Sequence, residues 1–370
     1  MQIASLVISP FRVPLRLRFS QTNQSTQTSD SVILQFESDE GLLAYGESCP
    51  RPYVTGEDFA SVEQDIQRFS PILLRRTFNS FADIQAFIFQ EAAQVLRPAA
   101  LCLLETALLD LWGKTQQQSL AYFFNIKYFH QIHYSGIVPL DQPEKLPKLL
   151  PILKGFAFKE LKLKVNASLA DCLQMINWVK THWGEAFPIR VDANTGWTYE
   201  QALILIPALI EAGVSVIEQP LPVALDQQMI DLCRRFGASV KLMADESLTT
   251  FRSAERLVEQ GCFNHCNLKI SKNGGILSTI RLYRYLQANG ITAQLGAHFG
   301  ETCILTAAGL WVAAAAPDLI AHEGGLGTWL LERDLQADSL RMDQEAKLSL
   351  ASLSGHGLGL SVRRGALALV

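Results

Sequence analysis

From about Tyr134 onward the chain keeps a rhythm that few folds can accommodate. Short β-rich runs (IHYSGIV, KELKLKV, FPIRVDA, VSVIEQP, SVKLMAD, HCNLKI, ITAQLGA and DLIAHE) alternate with helical runs such as LADCLQMINWVKTHW and YEQALILIPALIEAG. Their starts recur roughly every 25 residues, enough for one strand, one helix and two loops of a (β/α)8 barrel. The repeat predicts a modified TIM barrel over residues 129–330, an α/β fold. A doubly wound open sheet also alternates strand and helix. No GxGxxG follows a first strand, so its dinucleotide-binding version has no support.

The first 128 residues have a different texture. Residues 2–19 and 31–46 read as strands of an antiparallel meander, with SVILQF and LLAYGE as their clearest parts. Between them SQTNQSTQTSD has no apolar anchor and reads as a loop. SVEQDIQRF and FADIQAFIFQEAAQVL carry apolar residues at helical spacing. ALCLLETALLDLWGK is apolar almost all round and predicts a buried helix. Residues 1–128 are expected to form an α+β capping domain, and 331–370 to return to it.

Composition narrows the class. The chain has 48% hydrophobic residues, which argues for a large core and against disorder. With 32 basic and 36 acidic residues and a net charge of −4, there is no charge field for nucleic acid or a membrane surface. The N-terminus has prolines and arginines where a leader needs an unbroken apolar run. The stretch CILTAAGLWVAAAA is short for a membrane span. These features predict a cytoplasmic protein acting on a small molecule. The 7 cysteines are scattered and odd in number, so they read as reduced thiols. CFNHC, holding Cys262 and Cys266, lacks the second ligand pair that a zinc site needs.

The charges inside apolar strands carry the chemistry. RVDAN ends in Asp192, VIEQP in Glu218, and MADES in Asp245 and Glu246. The C-terminal ends of barrel strands meet at one mouth, where active sites are built. One such acid is ordinarily the N-cap of the next helix; three in register on successive strands converge on a site. Three bare carboxylates raise one another's pKa, and a divalent cation removes that cost. All-oxygen ligands with room for substrate suit Mg2+. In KELKLKV, Lys162 and Lys164 share one strand face, since side chains alternate. Lys269 comes from the strand after the acids, so amines flank the trio on both sides. Free lysine, with a pKa near 10.4, is too basic to act as a base at neutral pH. A neighbouring ammonium and a cation lower it, so Lys162 is expected to tune Lys164.

At these residues the chain resembles the enolase superfamily, in its muconate lactonizing enzyme subgroup. The matching motifs are KLK at 162–164, VDAN at 191–194, IEQP at 217–220, ADES at 244–247 and LKISKNGG at 268–275, with YGESCPRPYVTGE at 45–57 resembling a capping-domain loop. The resemblance implies an α+β capping domain over the barrel, with Mg2+ on Asp192, Glu218 and Asp245. It implies a carboxylate substrate that loses its α-proton to give a stabilised enediolate. Lys164 and Lys269 are then the acid and base on opposite faces, Lys162 supports the substrate carboxylate and Lys164, and Asn194 and Glu246 support the metal ligands. It points to a racemase or epimerase of an amino-acid or dipeptide-like substrate. A cycloisomerase, an o-succinylbenzoate-forming lyase and an inactive binding relative are the alternatives. Dipeptide epimerases of the subgroup carry Asp-x-Asp at the eighth strand, where this chain has IAHEGGLG with His322 and Glu323. In LGAHFGET, Glu301 resembles an acid of the subgroup; His298 reads as a substrate contact, an extra proton carrier or an ordinary structural histidine. Gln21 to Asp30 and Pro50 to Gly56 are expected to be lids, with Arg51 and Tyr53 as substrate contacts against plain loop surface. Barrel enzymes of this kind are often homo-oligomers, which is the expectation here.

Overall fold

The structure is a computed structural model describing residues 1–21, 24–127, 131–139, 143–335 and 340–362. Three strands of the N-terminal region, Ile3–Phe11, Ser31–Ser38 and Leu43–Ser48, form an antiparallel sheet with the middle one in chain order at its centre. The segment expected to be a loop, 20–30, instead supplies most of the second arm of a hairpin, Gln24–Thr28, which pairs with Pro14–Gln21. Backbone ladder bonds need no apolar side chains, which is why polarity alone misled; Thr22 and Asn23 lie outside the described residues.

Helix Pro98–Thr115 crosses that sheet and is buried along almost its whole length, as its unbroken apolar surface demands. Pro98 opens it at a position where a missing N–H costs nothing. The buried Glu57 carboxylate accepts from Ala99 N at 3.0 Å, satisfying a donor of the first turn. Gly46 lets strand and helix touch: a Cβ there would lie 2.2 Å from the Leu103 carbonyl oxygen.

The barrel begins at Gly136–Val138 and continues through Leu161–Lys164, Ile189–Asp192, Val214–Glu218, Lys241–Ala244, His265–Lys269 and Thr292–Gly296. These seven strands are parallel and adjacent in chain order. Residues 320–323 supply the eighth stave as an extended bridge. Leu295 N donates to Ala321 O at 3.0 Å and Glu323 N to Leu295 O at 2.7 Å, while Ser135 N donates to His322 O at 2.8 Å and closes the ring. The first stave is shorter than IHYSGIV suggests. Gln131–His133 turns away to pair with Lys347–Ser349, and only Gly136–Val138 enters the barrel. Gly136 permits that entry, since a Cβ would meet Leu161 Cδ2 at 2.4 Å.

After the eighth stave the chain comes back to the N-terminal region: Leu358 N donates to Asp110 Oδ1 at 3.0 Å and Leu120 N to Gly357 O at 3.2 Å. The expected boundary at residue 128 falls among 128–130, outside the described residues, as do 336–339 and 363–370 of the expected C-terminal segment. No helix among the described residues is long and apolar enough to cross a membrane.

Candidate active site

The acids reach one mouth because each sits at the end of its strand and the chain turns immediately after it. Asn194, Thr195 and Gln219 take left-handed φ of 43°, 63° and 37°, unusual for residues with a Cβ. Hydrogen bonds hold the turns: Asn194 N donates to Asp192 Oδ1 (2.9 Å), Thr195 N to Gln219 O (2.8 Å), and Asp245 N to Gln219 Oε1 (2.9 Å). The strain turns the chain away while leaving each carboxylate in place.

A cavity of about 130 Å³ opens at this mouth, lined among others by Lys162, Lys164, Asn194, Asp245, Glu246 and Lys269. Asp192 Oδ2 accepts from Lys164 Nζ at 2.7 Å and lies 3.2 Å from Lys162 Nζ. Glu218 Oε2 accepts from Lys162 Nζ (3.0 Å) and Oε1 from Asn267 Nδ2 (2.7 Å). Asp245 Oδ2 accepts from Lys269 Nζ (2.6 Å) and Oδ1 from Lys272 Nζ (2.7 Å). Lys164 Nζ also donates to Asn194 Oδ1 at 2.5 Å, and Asn194 Nδ2 to Glu246 Oε1 at 3.3 Å. The predicted lysines, acids and supporting residues therefore share one cluster. Strands two and six lie diametrically across an eight-stave ring, so Lys164 and Lys269 approach from opposite sides.

Electrostatics follow the packing. Burial, with repulsion from Asp192 behind it, pushes Glu218 up to about 8. Burial and then Asp245 raise Glu246 to about 7. Burial also acts against Asp192, yet Lys164 and Lys162 hold it down at about 2. Lys162 is pulled down by burial, but Glu218, Glu323 and Asp192 together keep it well above its ordinary value. It is thus committed to three acids, rather than serving only to depress Lys164.

The donor set fits a divalent cation. It offers hard carboxylate oxygens from three adjacent strands, and the amines already stand in for the missing positive charge. Glu246 Oε2 is buried without a partner beside them. As placed, no three His, Cys, Asp or Glu side chains among the described residues converge at metal-ligand spacing. The ammonium groups occupy the carboxylate oxygens, and a cation would take over those contacts.

The remaining predicted residues divide. Tyr53, His298, Glu301 and Glu323 line the cavity; Arg51 does not. The Arg51 guanidinium donates to the carbonyls of Pro50 (2.9 Å), Asp30 (3.4 Å) and Phe299 (2.5 Å), so it ties loops together instead of facing a ligand. Of the expected lids, Tyr53 and Val54 reach the cavity wall. Both Glu323 oxygens are engaged, by Lys162 (2.8 Å) on one side and by Arg190 and Gln294 (both 2.9 Å) on the other. Glu323 is a buried counter-charge, not an open substrate contact. His298 is buried with neither ring nitrogen partnered, which removes the reading of a satisfied structural histidine. Burial, then Lys269 and Arg51, hold its pKa well below the ordinary value. Glu301 accepts from His298 N at 2.7 Å and is raised to about 8 by burial.

Sequence reasoning missed Arg190, Gln294, Asn267 and Lys272. The first and third had a signal. Arg190 precedes Asp192 by two and Asn267 precedes Lys269 by two, so strand alternation puts each on the inward face. They form a polar layer beneath the site.

Residues 152–366, more than half the chain, match the family model described as Enolase C-terminal domain-like. Over 360 residues the chain is 24% identical to a hydrophobic dipeptide epimerase of Enterococcus faecalis, covering 97% of this chain and 99% of that one. It is 28% identical over 364 residues to a chloromuconate cycloisomerase of a Pseudomonas species, covering 97% and 95%. The solved structure of a dipeptide epimerase from Enterococcus faecalis, complexed with Mg and the dipeptide L-Leu-L-Tyr, superposes with a TM-score of 0.86 at 26% identity, over 98% of this chain and 100% of that one. The chain belongs to the enolase C-terminal domain-like family, and its fold and relatives are those of the muconate lactonizing enzyme subgroup of the enolase superfamily.

Proposed function

We propose that the chain is an isomerase that moves the α-proton of a small carboxylate between Lys164 and Lys269, racemising or epimerising an amino-acid or dipeptide-like substrate. The observation that carries this reading is the pair of amines from diametrically opposed strands lining one cavity. Inverting a carbon needs a proton taken from one face and returned to the other, and the two lysines supply a group on each. Asp192, Glu218 and Asp245 would hold Mg2+, whose charge would stabilise negative charge developing on the substrate carboxylate. Asn194 orients the Lys164 amine, and Lys162 balances the acids beneath. Tyr53, Val54 and Phe299 line the cavity from the loops around its mouth. The relatives named as epimerases and racemases support this reading.

A second reading, a cycloisomerase with one lysine moving the proton and the other stabilising charge, is favoured by the 28% identity to chloromuconate cycloisomerase. One experiment separates them. The protein is incubated in D2O with Mg2+ and a panel of dipeptides, N-acylamino acids and muconates, and α-deuteration is followed by NMR. Lys164→Ala and Lys269→Ala are each expected to lose about 10²–10⁴-fold in turnover, typical for removing a positioned acid or base. Each should retain exchange with one stereoisomer only. A Lys269→Ala enzyme that still turns over at the wild-type rate rejects two-base inversion.

A further inference from the structure

The cavity wall that carries His298 and Glu301 is held from the N-terminal region. Arg51 bonds the Phe299 carbonyl, and Ser31 Oγ bonds the Gly300 carbonyl at 3.3 Å. Most of the hold comes from Glu47, on strand Leu43–Ser48 and fully buried. Its carboxylate accepts from Ser31 Oγ (2.6 Å), Thr302 N (2.8 Å), Thr302 Oγ1 (2.6 Å) and Leu305 N (2.9 Å). Thr302 is the N-cap of helix Cys303–Ala315, so a carboxylate from a strand more than 250 residues earlier completes that cap. The unpaired N–H groups at a helix N-terminus favour negative charge there, and they act with the two hydroxyls against burial, which pushes Glu47 up to about 7. Glu47 itself does not line the cavity; the neighbours of what it grips do, namely Glu301, whose carboxylate holds His298 N, and Thr306 on the helix's first turn.

We propose that Glu47 is a positioning residue for substrate selection. Its four hydrogen bonds set the seventh-strand wall, and with it the His298 and Glu301 groups, against the lysines and acids of the other strands. The proposal rests on the reading of the cavity as the substrate site. Its consequence is a split in kinetic parameters, because the groups that move protons lie on strands Glu47 does not touch.

Glu47→Gln keeps size and one acceptor but turns an amide NH2 toward N–H donors. With a substrate found in the D2O panel, it is expected to raise KM by about tenfold or more, the scale of losing charge-assisted hydrogen bonds. Its kcat should stay within about twofold on the same argument, with Mg2+ affinity by calorimetry unchanged. Thr302→Val should shift KM the same way and Thr302→Ser should restore it; these variants keep Glu47, so the test survives if Glu47→Gln folds poorly. By hydrogen-exchange mass spectrometry, amides of 297–305 should exchange faster in Glu47→Gln while 265–270 stay as in wild type. A fall in kcat at unchanged KM, or exchange rising evenly across the protein, reduces Glu47 to a stability residue and overturns the proposal. If wild type turns over nothing in the panel, the active-site reading fails on its own. The exchange comparison then decides the role of Glu47, and unchanged exchange at 297–305 overturns it.

Discussion

On the side of the mouth built by the second to sixth strands, Asp192, Glu218 and Asp245 each have both carboxylate oxygens bonded. On the side built by the seventh and eighth, His298 has neither ring nitrogen bonded, and the cavity wall there is completed by Ala297, Phe299, Gly300, Gly324, Gly325 and Leu326. The first side pairs its three acids with amines and amides and leaves Glu246 Oε2 as a buried oxygen without a partner; burial in low dielectric makes each of those pairings strong. The second leaves buried polar atoms for something else to satisfy. On the function proposed above, the first half would serve the reaction and the second the choice of molecule.

Three substitutions can break or sharpen that contrast. The largest effect is expected from Glu323→Ala. It sits at the seam of the two halves and leaves Lys162 and Arg190 buried with a lost counter-charge. Breaking a buried ion pair from one side costs about 3–5 kcal/mol, read as a lower urea midpoint at constant m-value. A midpoint equal to wild type shows that the halves are not stapled by this residue. Next is Asp245→Asn on the reacting half. Calorimetric Mg2+ affinity should fall by about 100-fold or more, since altering even the groups that support a metal ligand costs about 10–100-fold; unchanged affinity removes Asp245 from the ligand set. The smallest effect belongs to His298→Ala on the choosing half. KM should rise about tenfold, the value of one buried hydrogen bond, with Mg2+ affinity and α-proton exchange chemistry intact. A loss of kcat instead makes His298 part of the proton path and dissolves the contrast.

The two halves also differed in how far the sequence disclosed them. Lys162, Lys164, Asp192, Glu218, Asp245 and Lys269 were legible because a charge in an apolar strand is conspicuous and strand alternation fixes its side. The eighth stave was legible from spacing alone, although it forms only a bridge. Arg51 was not, because the Phe299 carbonyl it binds lies 248 residues away and carbonyls leave no mark in a sequence. The partners of Glu323 were hidden for the same reason: an acid at a strand end looks open until Arg190, 133 residues earlier, is seen to close on it. The arm Gln24–Thr28 of the second hairpin escaped because a backbone ladder can form without apolar alternation.

The bridged eighth stave has a consequence for how the molecule comes into being. Vectorial synthesis delivers residues 320–323 last among the staves, when Lys162 and Arg190 have long since left the ribosome. Without Glu323, Lys162 keeps Glu218 and Asp192 as counter-charges and Arg190 keeps Glu160, but the acid the two cations share is lacking. The four residues that close the ring therefore also carry the counter-charge shared by its second and third strands. A chain that lacks residues 320–323 lacks both the backbone bridge that completes the ring and the carboxylate that Lys162 and Arg190 share.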